Sequence, residues 1–294
     1  MNSKIIGLII SAIIISTGLA YYFSLQNQAL EEQISNTSKT VENLEQEQNE
    51  IIDISTQQHL FKVFVNKDDL VQSGKNTFPT TAKLELKPEF GDIYENIKHT
   101  NDDQKTIVII PIFTASAYGD QGFYFYYHGE CDSKCLTTKI LDEASLGYTS
   151  NAFSIQALRL LGYDFITDID IDKNPSILQN YDKVILLHNE YVTRAEFDAI
   201  THHKKVIYLF PNALYAEIKV DYANNLITLV RGHNYPEQQI HNGFEWEFDN
   251  SELEYDNSCE NWKFNQIDNG IILNCYPENR LMWDTELLKF IKDF

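Results

Sequence analysis

Apolar and polar positions divide the chain into one long apolar run, a polar stretch and a globular remainder. The run from Ile5 to Phe23 carries no charged residue. At about 1.5 Å of rise per residue, it is long enough to cross a hydrocarbon core of about 30 Å as a helix. Residues 26–57 are rich in Glu and Gln and contain no Gly, Pro or aromatic residue. The pattern predicts a transmembrane signal anchor at 1–25, an acidic stalk at 26–57 and a globular part from residue 58.

Charges on either side of the apolar run predict its orientation. Lys4 precedes the run, and the first charges after it are Glu31 and Glu32. The positive-inside rule then leaves the amino terminus in the cytoplasm and the globular part outside, as a single-pass protein of the cell membrane. A cleavable signal peptide is the alternative, but its apolar region is usually only about 7–15 residues long and ends at an Ala-x-Ala site. The sequence favours the uncleaved anchor.

Short apolar runs alternate with helical patterns between residues 58 and 213. The strands are predicted at 60–65, 106–113, 163–167, 183–188 and 205–210, and the longer helices at 150–163 and 193–203. Thr193 and Glu196 form a capping-box pattern at the start of the second helix. Nearly apolar strands separated by helices are typical of a parallel sheet that is covered on both faces. This segment is therefore predicted to be an α/β core built on a parallel sheet.

Residues 214–294 have a different pattern, with strands that no clear helix separates. Four apolar runs predict a β-rich extension, and the amphipathic sequence at 285–294 predicts a closing helix. The predicted strands are "ALYAEIKV", "NLITLVR", "FEWEF" and "GIILNCY".

Net charge and cysteine content limit the binding partners and the cellular compartment that the protein can have. A formal charge of −20 argues against a nucleic-acid partner, whose phosphates it would repel. Four cysteines fit an oxidising compartment, and local pairing of Cys131 with Cys135 and of Cys259 with Cys275 is the simplest of three connectivities. A zinc site at the first pair, near His128, is the weaker alternative because a second matching ligand pair is missing. Asn36 begins a glycosylation sequon on the stalk.

Polar and aromatic residues follow three of the predicted strands at the point where each strand ends. They are Tyr118 and Tyr124 after 106–113, His188, Glu190 and Tyr191 around the end of 183–188, and Asn212 after 205–210. In open parallel sheets, ligands bind beyond the carboxyl ends of the strands. The sequence therefore predicts one crevice that these side chains share. The alternative is that Glu190 is a solvated or capping residue and that the tyrosine run is a packed loop.

The region from about 107 to 218 resembles the C-terminal domain of the N,N-dimethylformamidase β-subunit family, which implies a flavodoxin-like, class I glutamine amidotransferase-like fold for residues 58–213. "AYGDQGFYFYY" is similar to that family's Ala-Tyr-Asn-x-Trp-Gly-Gly-x-Ser-Leu-Tyr motif and keeps Tyr118 and Gly122. "GYDFITDIDID" is similar to its acidic motif, and "LHNEYVT" is similar to Gly-His-Asp-Glu-Tyr-Trp-Ser, with Asn189 in place of Asp. "FPN" keeps the Asn of a late Gly-Gly-Asn motif at Asn212.

This resemblance implies amide hydrolysis at an iron ion that tyrosine and glutamate oxygens hold. Tyr118 and Glu190 match the positions of metal ligands, and His188 matches a general base or a residue that supports the ligands. Tyr124, Tyr191 and Asn212 are then expected to contact the substrate. A cysteine-dependent amidotransferase is not expected, because no Gly-x-Cys-x-Gly sequence occurs. The alternative is a non-catalytic surface module that binds a small ligand or a glycan in the same crevice.

Overall fold

The computed structural model describes residues 51–73, 76–100 and 104–294. Within these ranges, no helix is both long and apolar enough to cross a membrane. The predicted anchor, most of the predicted stalk and the Asn36 sequon lie outside the described residues. Residues Ile52–Phe294 form one compact unit.

The first half of this unit contains five strands that precede the central sheet, followed by the first two strands of that sheet and the helices around them. Strands β1 to β5 precede the sheet, at Ile51–Asp53, Phe61–Asn66, Leu70–Ser73, Asn76–Pro79 and Lys83–Leu86. Helix α1 (Gly91–Ile97), strand β6 (Thr106–Ile110), helices α2 (Ile112–Tyr118) and α3 (Tyr124–Tyr127), strand β7 (Thr137–Lys139), helix α4 (Ala152–Leu160), strand β8 (Asp164–Thr167) and helix α5 (Asp168–Lys173) follow.

The second half alternates strands and helices and then becomes rich in strands. Its elements are β9 (Lys183–Leu186), β10 (Tyr191–Val192), α6 (Arg194–Thr201), β11 (Val206–Tyr208), β12 (Ala216–Asp221), β13 (Leu226–Arg231), β14 (Phe264–Ile267), β15 (Gly270–Leu273) and α7 (Thr285–Asp293). The predicted capping box at the start of α6 is confirmed: Thr193 Oγ1 accepts the Glu196 N–H, and Glu196 Oε2 accepts the Thr193 N–H.

The central sheet has six strands in the order β14-β15-β11-β9-β6-β8. Five of them, from β15 to β8, run parallel to their neighbours, and only β14 is antiparallel to β15. The chain enters the sheet at β6, adds β8 on one side, and then returns to add β9, β11 and β15 on the other side. The direction of winding therefore reverses between β6 and β9.

Alternate residues of these strands build two separate cores, one on each face of the sheet. Val108, Ile185 and Ile207 lie in the larger core, with side chains from α1, α2, α4 and α7. Ile109 and Leu186 lie in the smaller core, which side chains from α5 and α6 cover. Because both faces are buried, both sets of alternating positions have to be apolar, as the sequence shows. The predicted parallel sheet with helices on both faces is confirmed.

The segment at 214–294 is joined to this sheet. Strand β15 pairs with β11 along Val206–Tyr208, and β12 and β13 form a second sheet with β10 and β7, in the order β10-β12-β13-β7. The β-rich segment and the α/β core therefore belong to the same compact unit.

Two predicted elements differ from the structure. The predicted strand at 244–248 is wrong: this segment is irregular, and Phe244, Trp246 and Phe248 pack against the smaller core. Apolar residues at every second position can therefore face a core without strand pairing. The apolar run at 106–113 is a strand only to Ile110, because Pro111 is the N-cap of α2 and the run continues as a helix.

The predicted cysteine pairing is confirmed. Cys131 is bonded to Cys135, and Cys259 to Cys275, so all four cysteines form disulfides. Disulfides persist in oxidising compartments, and both bonds are consistent with an extracellular or secreted domain.

Candidate functional site

The candidate site lies at the carboxyl ends of β6 and β9, the two strands between which the winding reverses. Strand β6 leads through Pro111 directly into α2, whose last residue is Tyr118. Thr114 on α2 is fully buried, and its Oγ1 accepts the N–H groups of Glu190 (3.0 Å) and Tyr191 (3.2 Å). These bonds fix α2 against the segment that leaves β9.

A tight turn after α2 brings two tyrosines together. The Phe123 N–H donates to the Ala117 carbonyl (2.8 Å), so the chain folds back over the helix end. A Cβ atom on Gly122 would lie 2.3 Å from the same carbonyl oxygen, and only glycine fits there. The Tyr124 hydroxyl then donates to the Tyr118 hydroxyl (2.6 Å), and the ring centroids are 4.2 Å apart. Burial, and the nearby Glu190 carboxylate, raise the pKa of both phenols.

His188 is held from two sides at the end of β9 and is 2% exposed. Its peptide N–H donates to Asn151 Oδ1 (2.6 Å), and its ring Nδ1 lies 2.5 Å from the Thr149 carbonyl oxygen. Because a carbonyl only accepts, Nδ1 carries a proton there. The other nitrogen, Nε2, faces Asn212 Nδ2 (2.8 Å) and Glu190 Oε2 (3.3 Å). The ring is therefore oriented so that Nε2 points into the site.

Glu190 is a fully buried carboxylate between two histidines. Its Oε1 is bonded to His233 Nε2, and its Oε2 accepts no hydrogen bond of good geometry from any residue that the structure describes. Burial raises the pKa of Glu190, but the charge of His233 and the close contacts of His188 and His233 with the carboxylate outweigh it and bring the pKa to about 2. The same carboxylate raises the pKa of His188 against the effect of burial. Glu190 is therefore ionised inside the protein.

His233 is a residue of the site that the sequence did not reveal. It follows β13 in a left-handed backbone conformation (φ 53°), between Gly232 (φ 117°) and Asn234 (φ 62°). Its ring stacks on Tyr191 at 5.4 Å and meets the edge of Tyr215 at 4.7 Å. Backbone conformations of this kind cost free energy and persist where the surrounding structure requires them. No pattern in the sequence connects His233 to Glu190, because 43 residues separate them.

Glu254 is the second such residue, and it links the site to a pocket. Its carboxylate accepts a hydrogen bond from Asn212 Nδ2, and burial followed by the charge of Glu190 raises its pKa. A pocket of about 410 Å³ opens beside it. The pocket is lined by Tyr215, His233, Asn234, His241, Asp249, Ser251, Glu252, Glu254 and Tyr255. His233 and Glu254 thus stand between this pocket and the buried Glu190.

The structure brings the predicted residues together. Tyr118, Tyr124, His188, Glu190 and Asn212 surround one buried region, as expected from the strand ends. Tyr191 is also there, but its side chain is fully buried between His233 and Phe123 and forms a wall of the site. Glu190 is neither a helix cap nor a solvated carboxylate, so that alternative is wrong.

Asn189, which stands where the resembled family has Asp, is fully buried. Its side-chain Oδ1 and Nδ2 make no hydrogen bond with any described residue.

The donor atoms at the site are mostly oxygens. Within the described residues, no three His, Cys, Asp or Glu side chains are placed to hold a metal ion by themselves. A metal ion would therefore need the Tyr118 and Tyr124 oxygens beside Glu190. Glu190 Oε2 belongs to a buried, ionised carboxylate and lies 3.3 Å from His188 Nε2 without a hydrogen bond of good geometry, so it keeps lone pairs for a further partner. A carboxylate with phenol oxygens fits a hard cation such as iron.

Comparison with known proteins adds no family to this picture. Neither the family models nor the curated proteins with which the sequence was compared match it.

Proposed function

We propose that the protein is a metal-dependent hydrolase of an amide C–N bond, with a domain related to the N,N-dimethylformamidase β subunit. The five parallel strands can be numbered by their order along the chain, from β6 as strand 1 through β8, β9 and β11 to β15 as strand 5. In the sheet they then lie in the order 2-1-3-4-5, which is the flavodoxin-like order. In that order, ligands bind at the switch point between the first and third strands. Tyr118 follows the first of these strands, and His188 and Glu190 follow the third, which supports the proposed site.

The observation that carries the proposal is the buried, ionised Glu190. Burying a charge without a partner is costly, so proteins keep such groups for ion pairs or for metal ions. Here one carboxylate oxygen is bonded to His233, and the other lies 3.3 Å from His188 Nε2 without a hydrogen bond of good geometry. Tyr118 and Glu190 are the proposed ligands of iron. The Tyr124 hydroxyl donates a hydrogen bond to the Tyr118 hydroxyl and so holds Tyr118 in place. The chemistry that iron would supply when bound is Lewis-acid polarisation of the amide carbonyl.

The residues of the chain supply the proton transfer. His188 Nε2 takes a proton from the water whose oxygen attacks the carbonyl carbon, because Nδ1 is already engaged with the Thr149 carbonyl. The Glu190 carboxylate at 3.3 Å stabilises the imidazolium that forms. When the C–N bond breaks, the leaving nitrogen receives this proton, and the products are a carboxylic acid and an amine. Asn212 Nδ2 contacts Nε2 at 2.8 Å and also donates to Glu254, and it has to release Nε2 before that nitrogen takes the proton.

The location of this activity follows from the disulfides and from the N-terminal sequence. Two disulfides are consistent with an extracellular domain. With the apolar run Ile5 to Phe23 as an anchor, we place the domain on the outer side of the cell membrane.

A second candidate is a non-catalytic binding module. The favouring observation is that Glu190 already has His188 and His233 as close partners without a cation. The pocket beside Glu254 would then take a small ligand or a glycan between Tyr215 and Tyr255.

Amine release tests the proposal. The purified full chain, supplied with ferrous or ferric iron, is incubated with N,N-dimethylformamide and with N-acetylated amino sugars, and the amine that forms is measured. We expect release by the wild-type chain and a loss of at least about 100-fold in His188→Gln, which removes the general base. His202→Gln is the matched control, because His202 lies at the C-terminal end of α6 and outside the site. Release that is equal in the two variants, or absent from the iron-loaded wild type, contradicts the proposal.

A further inference from the structure

Glu278 is another fully buried glutamate, and it lies next to the site without touching Glu190. Its oxygens receive four hydrogen bonds, all from neutral groups. Oε1 accepts the N–H groups of Phe153 (2.8 Å) and Ser154 (3.3 Å). Oε2 accepts Asn151 Nδ2 (3.0 Å) and the Ser154 hydroxyl. The carboxylate therefore caps the N-terminal end of α4, where backbone N–H groups and the helix dipole favour an anion.

Asn151 joins this carboxylate to His188. It lies just before α4 in the left-handed conformation (φ 66°, ψ 34°), which asparagine tolerates better than most residues. Its side chain is fully buried, with Nδ2 donating to Glu278 and Oδ1 accepting the His188 peptide N–H at 2.6 Å. One amide group thus has its two ends fixed by Glu278 and by His188. Thr149, two residues earlier, holds the His188 ring.

We propose that Glu278 is a positioning residue of the site: through Asn151 it fixes the place of His188, and gain of a proton on Glu278 loosens that hold. The effect on hydrolysis rests on the proposed function, but the effect on His188 does not.

The hydrogen-bond pattern explains why protonation matters. The Ser154 hydroxyl can rotate to accept a proton on Oε2, so that oxygen is the favoured one to be protonated. Oε2 is then a donor to Ser154 and a much poorer acceptor for Asn151 Nδ2. The Asn151 side-chain amide is then no longer held by a charged carboxylate. Its Oδ1, which accepts the His188 peptide N–H, is therefore no longer fixed in position. Burial raises the pKa of Glu278 to about 7 against these four hydrogen bonds, so the change occurs near neutral pH.

The titratable groups that face Glu278 stay neutral in this range. Tyr148, from the turn before α4, has a pKa raised to about 12 by burial and by Glu278. The pKa of Tyr276, from the segment after β15, is likewise raised by burial and by Glu278. Tyr276 also donates to the Tyr148 carbonyl and contacts the His188 ring edge at 5.3 Å. The remaining neighbour that titrates is His188 itself, on the far side of Asn151.

The test is the pH dependence of the backbone amide resonance of residue 188, measured by nuclear magnetic resonance on the nitrogen-15-labelled full chain. In the wild type, we expect a shift with a midpoint near pH 7. In Glu278→Gln, which cannot titrate at this position, the part of the pH-dependent shift that is due to Glu278 should disappear. The resonance should then stay near the position that it has in the wild type at low pH. His188→Gln keeps the backbone N–H but removes the imidazole, so its residue-188 amide should still titrate near pH 7. Glu260→Gln, an exposed change, is the control and should leave the wild-type curve unchanged.

Asn151→Gly provides a second route if Glu278→Gln does not fold. Glycine suits the left-handed backbone at this position but removes the bridging amide. Combined with His188→Gln, which removes the titration of the imidazole itself, this change should abolish the midpoint near pH 7 at residue 188. A residue-188 amide in His188→Gln that does not respond to pH, or a midpoint near pH 7 that survives when Glu278→Gln or Asn151→Gly is combined with His188→Gln, overturns the proposal. A normal amide response without amine release would contradict only the proposed function.

Discussion

At the scale of single residues, the same chemical group behaves in opposite ways at two buried positions. Glu190 has two histidines beside it, and their charge and hydrogen bonds keep its pKa at about 2 in spite of burial. Glu278 has only neutral donors, and burial raises its pKa to about 7. The neighbours of each carboxylate, and not its burial, decide which form the protein holds at neutral pH.

The raised pKa of Glu278 predicts a specific dependence of stability on pH. Because the folded state holds this proton more tightly than the unfolded state, the contribution of Glu278 to stability is greatest below about pH 4.5 and falls as the pH rises towards 7. The shift of Glu278 corresponds to a loss on the order of 3 kcal/mol. Glu278→Gln lacks this ionisable group, so the difference in unfolding free energy between wild type and variant should change by that amount between pH 4 and pH 8. Urea unfolding at both pH values measures it, and a constant difference would contradict the assignment.

At the scale of secondary-structure elements, the turn between α2 and α3 determines whether the two tyrosine hydroxyls meet. Its geometry depends on Gly122, whose backbone lies against the Ala117 carbonyl. The neighbouring elements α2, β9 and the segment 187–191 are joined through Thr114. A change at the turn should therefore act on the tyrosine pair first.

Gly122→Ala should destabilise the protein by about 2 kcal/mol, because the added methyl group cannot fit without opening the turn. The Tyr118–Tyr124 contact should be lost, which near-ultraviolet circular dichroism detects. Gly91→Ala is the matched control: no atom lies within 4 Å of the added Cβ, and the position is helical. That change should be neutral or slightly stabilising. Equal effects of the two substitutions would show that the turn is not constrained as described.

The sequence was sufficient for elements whose burial leaves a regular pattern. β6 and β9 are buried along their whole length and read as continuous apolar runs, and the capping box of α6 is local in sequence. The segment 244–248 has the alternation of a strand but lies irregularly over α6, since Phe244 stacks on Phe197 and no strand pairs with it. Periodicity reports which side chains face a core, and it does not report whether the backbone is paired.

The candidate site was predictable only where it follows strand ends. Tyr118, His188 and Glu190 come directly after parallel strands or the helix that continues one, so the rule for such sheets places them together. His233, Glu254 and Glu278 come from irregular segments after β13 and β15. Their positions depend on how the chain folds back over the sheet, and no local pattern encodes that.

At the scale of the whole molecule, the two disulfides are consistent with an extracellular or secreted domain, and the N-terminal sequence predicts a membrane anchor before it. The anchor predicts that a protease added to intact cells releases a soluble fragment that begins within residues 26–57. The reason is that the Glu- and Gln-rich sequence before Ile52 predicts a spacer that a protease can cleave, whereas Ile52–Phe294 is compact, so we expect the cut before Ile52. Immunoblotting of the medium and sequencing of the fragment measure this. Protection until the cells are lysed would contradict the predicted orientation.

The most direct test of the account is the metal content of the purified full chain after extensive washing, measured by mass spectrometry of the elements. We expect close to one iron ion per chain in the wild type and its loss in Glu190→Gln, which keeps the shape of the side chain but removes its charge. Glu196→Gln is the matched control, because Glu196 is equally buried, its pKa is raised by burial and by Asp168, and glutamine can replace it in the capping box of α6. Iron retained in Glu196→Gln and lost in Glu190→Gln agrees with a metal-dependent site, whereas equal iron content in wild type and Glu190→Gln contradicts it.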